Sequence, residues 1–114
     1  MESFSPGTII KHMNHFNGYG ENYKNSSSGQ GMELSPDEYH TFAVYWDENG
    51  YTYYVDGKED GHNPSPVSKV PQFILLSTEV NGYRVGATAS DEARLAVGDT
   101  FVVDYVRVFD ATEE

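Results

Sequence analysis

Three groups of side chains in this sequence could do chemistry on a polar substrate, and their spacing limits what that chemistry is. Four histidines are present. His12 and His15 stand three apart, which on a strand sends their rings to opposite faces and makes them poor joint metal ligands. Alternation along Phe73–Val80, FILLSTEV, puts Phe73, Leu75, Ser77 and Glu79 on one face and Ile74, Leu76, Thr78 and Val80 on the other. The second set suits a core. The first offers a hydroxyl and a carboxylate, the partners that a hydroxyl-rich ligand needs. Tyrosine is the third resource, with nine Tyr beside six Phe and one Trp. It has two readings: strand propensity and core filling, or flat apolar faces with a polar handle that suit sugar rings.

The rest of the composition narrows the choices. The 114 residues suffice for a single domain spanning 1–114. Seven Lys and Arg against 18 Asp and Glu give a net charge of −11, which argues against nucleic acid or an anionic membrane as partner. Without cysteine there is no disulfide and no reading of the redox compartment. No apolar run is long enough to span a bilayer, and no secretory signal is visible.

The elements that would position these residues are strands. Tyr39–Gly57, YHTFAVYWDENGYTYYVDG, reads as two strands around an Asn49-Gly50 turn, with Asp56-Gly57 as a second turn. Thr8–Phe16 reads as a strand. Asn17–Gly31 carries four glycines and three consecutive serines and reads as a long loop. Leu34–Glu38 is a turn, or one helical turn capped by Ser35 with Pro36 at its first position. Lys58–Val70 is polar, holds Pro64 and Pro66, and reads as a loop with an edge. Phe73–Val80 reads as a central strand and Thr100–Phe109 as a strong one, with Ser90–Leu95 a short helix capped by Ser90. The class is all-β, with stacked sheets as the way to bury these faces.

Several of these segments together resemble one family. The hairpin YHTFAVYWDENGYTYYVDGK, the run VPQFILLSTEV at Val70–Val80 and VDYVRVF at Val103–Phe109 are similar, in order and spacing, to family 16 glycoside hydrolases of the laminarinase and lichenase type. The resemblance implies a concanavalin A-like β-jelly roll of two curved antiparallel sheets with a substrate cleft on the concave face. It implies retaining hydrolysis of O-glycosyl bonds in a polysaccharide, a β-glucan or a galactan, and a secreted protein.

The departure from that family bears on activity. Its catalytic signature is Glu-x-Asp-x-x-Glu, and that pattern does not occur in these residues. Met1-Glu2-Ser3-Phe4 is similar to the end of the signature, so the expectation is the C-terminal half of the jelly roll, beginning inside the catalytic motif. Glu2 then corresponds to the acid/base. The nucleophile Glu and helper Asp have no counterpart, and the chain alone is expected to be inactive. The other reading of Glu2 is a solvated acid. The resemblance further implies substrate contacts at Ser77, Glu79, His15 and Tyr19, the alternatives being a strand-end acid at Glu79 and an ordinary exposed loop at Tyr19. Trp46 and His40 read as structural. No cofactor is expected. The full-length family includes members with a structural calcium, and Asp104 matches its aspartate ligand. Two other classes stand beside the hydrolase: a non-catalytic carbohydrate-binding module, and a β-sandwich piece that self-associates, as a homodimer, through exposed sheet edges.

Overall fold

The computed structural model of the chain describes residues 1–3, 9–35, 37–78 and 100–110. The chain divides into two compact units, Met1–Ile74 and Leu75–Glu114. All the strands described belong to the first. They are β1 (Glu2–Ser3), β2 (Ile9–Phe16), β3 (Lys24–Glu33), β4 (Phe42–Asp47), β5 (Gly50–Val55) and β6 (Lys58–Asn63). Sheet A has the order β1-β2-β3 and sheet B the order β4-β5-β6, every pairing being antiparallel. An all-β architecture of two antiparallel sheets matches the sandwich class read from the strand patterns, and it is part of a jelly roll.

The two hairpin turns of sheet B form as the sequence signals, by different means. Asp47 pairs with Gly50, leaving Glu48-Asn49 as the loop. The positive φ falls on Gly50, at +139°, and not on Asn49. Asp47 closes the loop instead: its Oδ1 accepts from Asn49 N at 2.8 Å and its Oδ2 from Asn49 Nδ2 at 3.1 Å. These bonds hold the Asp47 carboxyl below its usual pKa. At the second turn Val55 pairs with Lys58 across Asp56-Gly57, whose φ values are +50° and +74°. That is the mirror-image turn geometry that Asp-Gly favours, because its twist matches the strands it joins.

Strands form in two segments, one read as a loop and the other as a loop with an edge. Lys24–Glu33 lies within the glycine- and serine-rich stretch, yet forms ten residues of β3. Its glycines mark an irregularity in the ladder. From the Ile10–Met32 pair to the His12–Ser28 pair, β2 advances from 10 to 12 while β3 advances from 32 to 28. The additional β3 residues bulge out around Gly29 and Gly31, at φ +87° and +78°. Lys58–Asn63 is β6, and it carries a bulge of its own. Tyr53 pairs with Gly61 and Tyr54 with Glu59, so Asp60 is the additional residue.

Two segments read as strands are not strands here. Residues 71–78, which include Phe73–Thr78, and residues 100–110 carry no strand, and their side chains are exposed. A strand exists where its N–H and C=O groups join a ladder, and neither segment pairs with a described strand. Among the described residues no core covers this segment: Ile74 and Leu76 are less open than Phe73 and Leu75, but all four are exposed. Val80 and the Ser90–Leu95 helix lie outside the described residues. Trp46 also departs from expectation. On edge strand β4 it is exposed, along with Phe42, Val44 and Tyr45, and it stacks on Tyr51 with ring centroids 5.8 Å apart.

Sheets A and B meet along β3 and β6. On β2 the residues alternate, with Ile10 and His12 buried and Ile9, Lys11 and His15 exposed. The buried apolar cluster is small: Ile10, Leu34 and Val55, with Met32 against it. Next to it the backbones of Gly29 and Gly61 come so close that a Cβ on Gly61 would lie 2.5 Å from Gly29 N. Gly61 also has φ +129°, a conformation that side chains disfavour.

A polar clamp sets where β4 begins. The His40 imidazole has Nδ1 2.8 Å from Asp56 Oδ2 and Nε2 2.7 Å from the Ser35 carbonyl. Both partners only accept, so the ring makes both bonds only when it is doubly protonated. Asp56 also accepts from Thr41 N through Oδ1 at 2.9 Å, and donates its own N–H to Thr41 O at 2.8 Å. The Asp56 hydrogen bond, then that of Ser35, raises the His40 pKa above its ordinary 6.5. The Thr41 N–H, then His40, lowers that of Asp56 below 3.8.

Two expectations follow from this packing. Gly61→Ala should destabilise the fold by about 2 kcal/mol or more, read as a lower urea midpoint, because the added methyl meets backbone that cannot rotate away. An unchanged midpoint would contradict the close approach. For the clamp, a raised His40 pKa means its stabilisation is complete below pH 6.5 and lost as pH rises through the folded value. A lowered Asp56 pKa means its share is present above pH 3.8 and lost as pH falls through the folded value. Thermal melts should thus show a decline above pH 6.5 that His40→Ala removes; the same slope in the variant would refute the clamp.

Candidate functional site

The two faces of sheet A differ in chemistry. The inward face carries an array of polar side chains between the sheets. His12, fully buried, has Nε2 2.7 Å from Oδ2 of Asp60, which is 8% exposed. The β6 bulge supplies that geometry, since an additional residue re-aims its side chain out of the regular alternation. The His12 ring lies flat on Tyr53, with centroids 4.4 Å apart and planes 2° from parallel. The Tyr53 hydroxyl donates to Asn14 Oδ1, and Asn14 Nδ2 donates to Ser65 Oγ at 2.7 Å. Asn63 joins the sheets again: its Oδ1 accepts from Ser26 Oγ and from Ser65 N, both at 3.0 Å, and its Nδ2 donates to Ser26 O at 3.1 Å. Burial pushes the Tyr53 phenol above its ordinary pKa of 10.0. The side chains of this array are buried or half-buried between the sheets. The array is an interface.

The outward face is open. Ile9, Lys11, Met13 and His15 of β2 lie on it, and β1 and β3 add the residues paired with them. Glu2 stands opposite Lys11, Asn25 opposite His15, Ser27 opposite Met13 and Glu33 opposite Ile9. Tyr23, just before β3, folds over this face. Its hydroxyl meets His15 Nδ1, its ring stacks on the imidazole at 5.7 Å, and Asn25 Nδ2 donates to the same hydroxyl at 3.3 Å. Tyr23 N also donates to Gly20 O at 3.1 Å, closing the loop that carries Tyr19. Tyr19 itself is fully exposed at the loop tip. Asn17, at φ +66°, and Gly18, at +68°, turn the chain there.

Three of the residues singled out from the sequence thus belong to one region. Glu2 and His15 share the outward face, with His15 four positions along β2 from the residue opposite Glu2, about 13 Å away at strand spacing. Tyr19 projects from the adjoining loop. Ser77 is exposed in the second unit, as is Asp104. Glu79 lies outside the described residues. Among the described residues no three His, Asp or Glu side chains gather to hold a metal ion. Sequence reasoning missed Tyr23 and Asn25 because their stretch reads as a loop. It missed the His12–Asp60 pair, although the alternation of IIKHMNHF places His12 with Ile10 on the core side.

Two antiparallel sheets, one with a polar and aromatic outer face, define a β-sandwich protein. The sequence model of glycosyl hydrolases family 16 matches residues 5–106, and the chain belongs to that family. Glu2 lies just before the matched stretch. No curated protein and no solved structure matches the chain.

The interface can be tested apart from any activity. Asp60→Ala would leave a buried imidazole without its partner. It should lower the unfolding free energy by about 3 kcal/mol in chemical denaturation, whereas Glu59→Ala at the exposed neighbouring position should change it by less than about 0.5 kcal/mol. Equal effects at the two positions would rule out the His12–Asp60 contact as the tie between sheets.

Proposed function

We propose that these 114 residues hold a polysaccharide, a β-glucan or galactan, on the outward face of sheet A, and that by themselves they hydrolyse little or nothing. The observation that carries this is the composition of that face. Polar and aromatic groups that suit a sugar chain surround the Glu2 carboxylate, and among the described residues no second carboxylate is placed to work with it. Retaining hydrolysis needs two carboxyl groups about 5–5.5 Å apart, one as nucleophile and one as acid/base. Glu33 is a further carboxylate on the face. It stands opposite Ile9, two strands across and two positions along from Glu2, roughly 12 Å away at ordinary strand spacings. The Glu-x-Asp-x-x-Glu pattern that would bring the pair together does not occur among these residues.

In this reading Glu2 is the acid/base position of the family site, His15 a hydrogen-bonding contact and Tyr19 an aromatic contact at the rim. Net charge −11 disfavours polyanions, so the chain should hold uncharged glycans in preference to sulfated ones. In gels cast with laminarin or lichenan the pure chain should migrate more slowly than in blank gels, while prolonged incubation with either releases no reducing sugar above the buffer control. Measurable release would sink the inactivity; unretarded migration in both gels would sink the binding.

A further inference from the structure

We infer that Tyr23, steadied by Asn25, is a positioning residue that fixes His15 as an Nε2–H donor toward the glycan. The inference rests on the reading of the outward face of sheet A as the glycan-binding face. Its argument is the direction of three hydrogen-bonding groups. The Asn25 side-chain amide can only donate from Nδ2, so the Tyr23 oxygen accepts from it at 3.3 Å. The phenol then has its own proton to give, and the group facing it is His15 Nδ1. A neutral imidazole that accepts at Nδ1 carries its proton on Nε2. The stack of the two rings, 20° from parallel, holds the imidazole plane in place. Among the described residues Nε2 of His15 has no hydrogen-bond partner, and His15 is exposed on the same face as Glu2. A sugar hydroxyl reaching this face therefore meets a fixed N–H donor, with the exposed edge of Tyr23 beside it. Without Tyr23 the ring could present either nitrogen as donor, and part of its population would offer a lone pair instead.

The tautomer and the binding can be measured separately. Nitrogen-15 chemical shifts of the His15 ring should report the Nε2–H form in the native chain and a mixture of both forms in Tyr23→Phe, which keeps the ring and removes the hydroxyl. Laminarihexaose titrated by calorimetry should bind Tyr23→Phe about fivefold more weakly than the native chain, the loss expected for one ordinary hydrogen bond. His15→Gln, whose amide nitrogen takes the place of Nε2, should keep near-native affinity. His15→Asn, whose amide nitrogen takes the place of Nδ1, should lose it. Circular dichroism of each variant checks that the sheets remain. An Nδ1–H tautomer in the native chain overturns the positioning role whether or not the sugar binds. A native Nε2–H tautomer with no laminarihexaose binding overturns the glycan face and the role of His15 with it. Equal affinity of His15→Gln and His15→Asn overturns the donor at Nε2.

Discussion

The contact between His12 and Asp60 is the constraint on which the rest of the described fold depends. It joins β2 of one sheet to β6 of the other, and both side chains are buried. Such a pair tolerates little misplacement, because a buried group loses its water and regains partners in only one arrangement. Two bulges make the arrangement reachable. The β6 bulge turns Asp60 inward, and the β3 bulge brings Gly29 against Gly61 so that the backbones can touch. With an apolar cluster as small as Ile10, Leu34 and Val55, the polar interface carries much of the specification of how the sheets meet.

That constraint also divides the labour of sheet A. Because β2 alternates, committing Ile10 and His12 to the interface commits Lys11, Met13 and His15 to the other side. The open face is thus a consequence of the buried one. His15 gains its neighbours from the same ladder: Asn25 is its cross-strand partner, and Tyr23 lies two residues before Asn25. A shift of one residue in the β2–β3 register would exchange the outward face with the interface. Sheet B has no such commitment on β4, whose aromatic and branched side chains remain exposed along an edge.

Much of sheet B was legible in the sequence. Asn49-Gly50 and Asp56-Gly57 mark turns through local conformational preference, and the Tyr- and Val-rich runs beside them have the side chains of strands. His40 reads as structural, and it bonds to Asp56 and to the Ser35 carbonyl. The family resemblance rested in part on the Asn49-Gly50 hairpin, and also on Val70–Val80 and Val103–Phe109. Sheet A was half legible. Ile9–Phe16 declares itself by branched residues at its start, while Lys24–Glu33 hides because glycine and serine look like a loop to any local rule. Its strand character comes from pairing with β2, and its glycines serve a bulge.

FILLSTEV shows the opposite failure. Its pattern is that of a central strand, but a pattern supplies only one side of a ladder, and no described strand pairs with Phe73–Thr78. The sequence by itself determined the β class, the turns, the family and the acidic character, since each depends on residue type or short-range order. Only the tertiary structure decided that His12 is buried while His15 is open, that Asp60 reaches across from the other sheet, and that Tyr23 and Asn25 close around His15. Those facts depend on bulges and on pairing between residues far apart in the chain, where the energy lies in contacts that no local stretch contains.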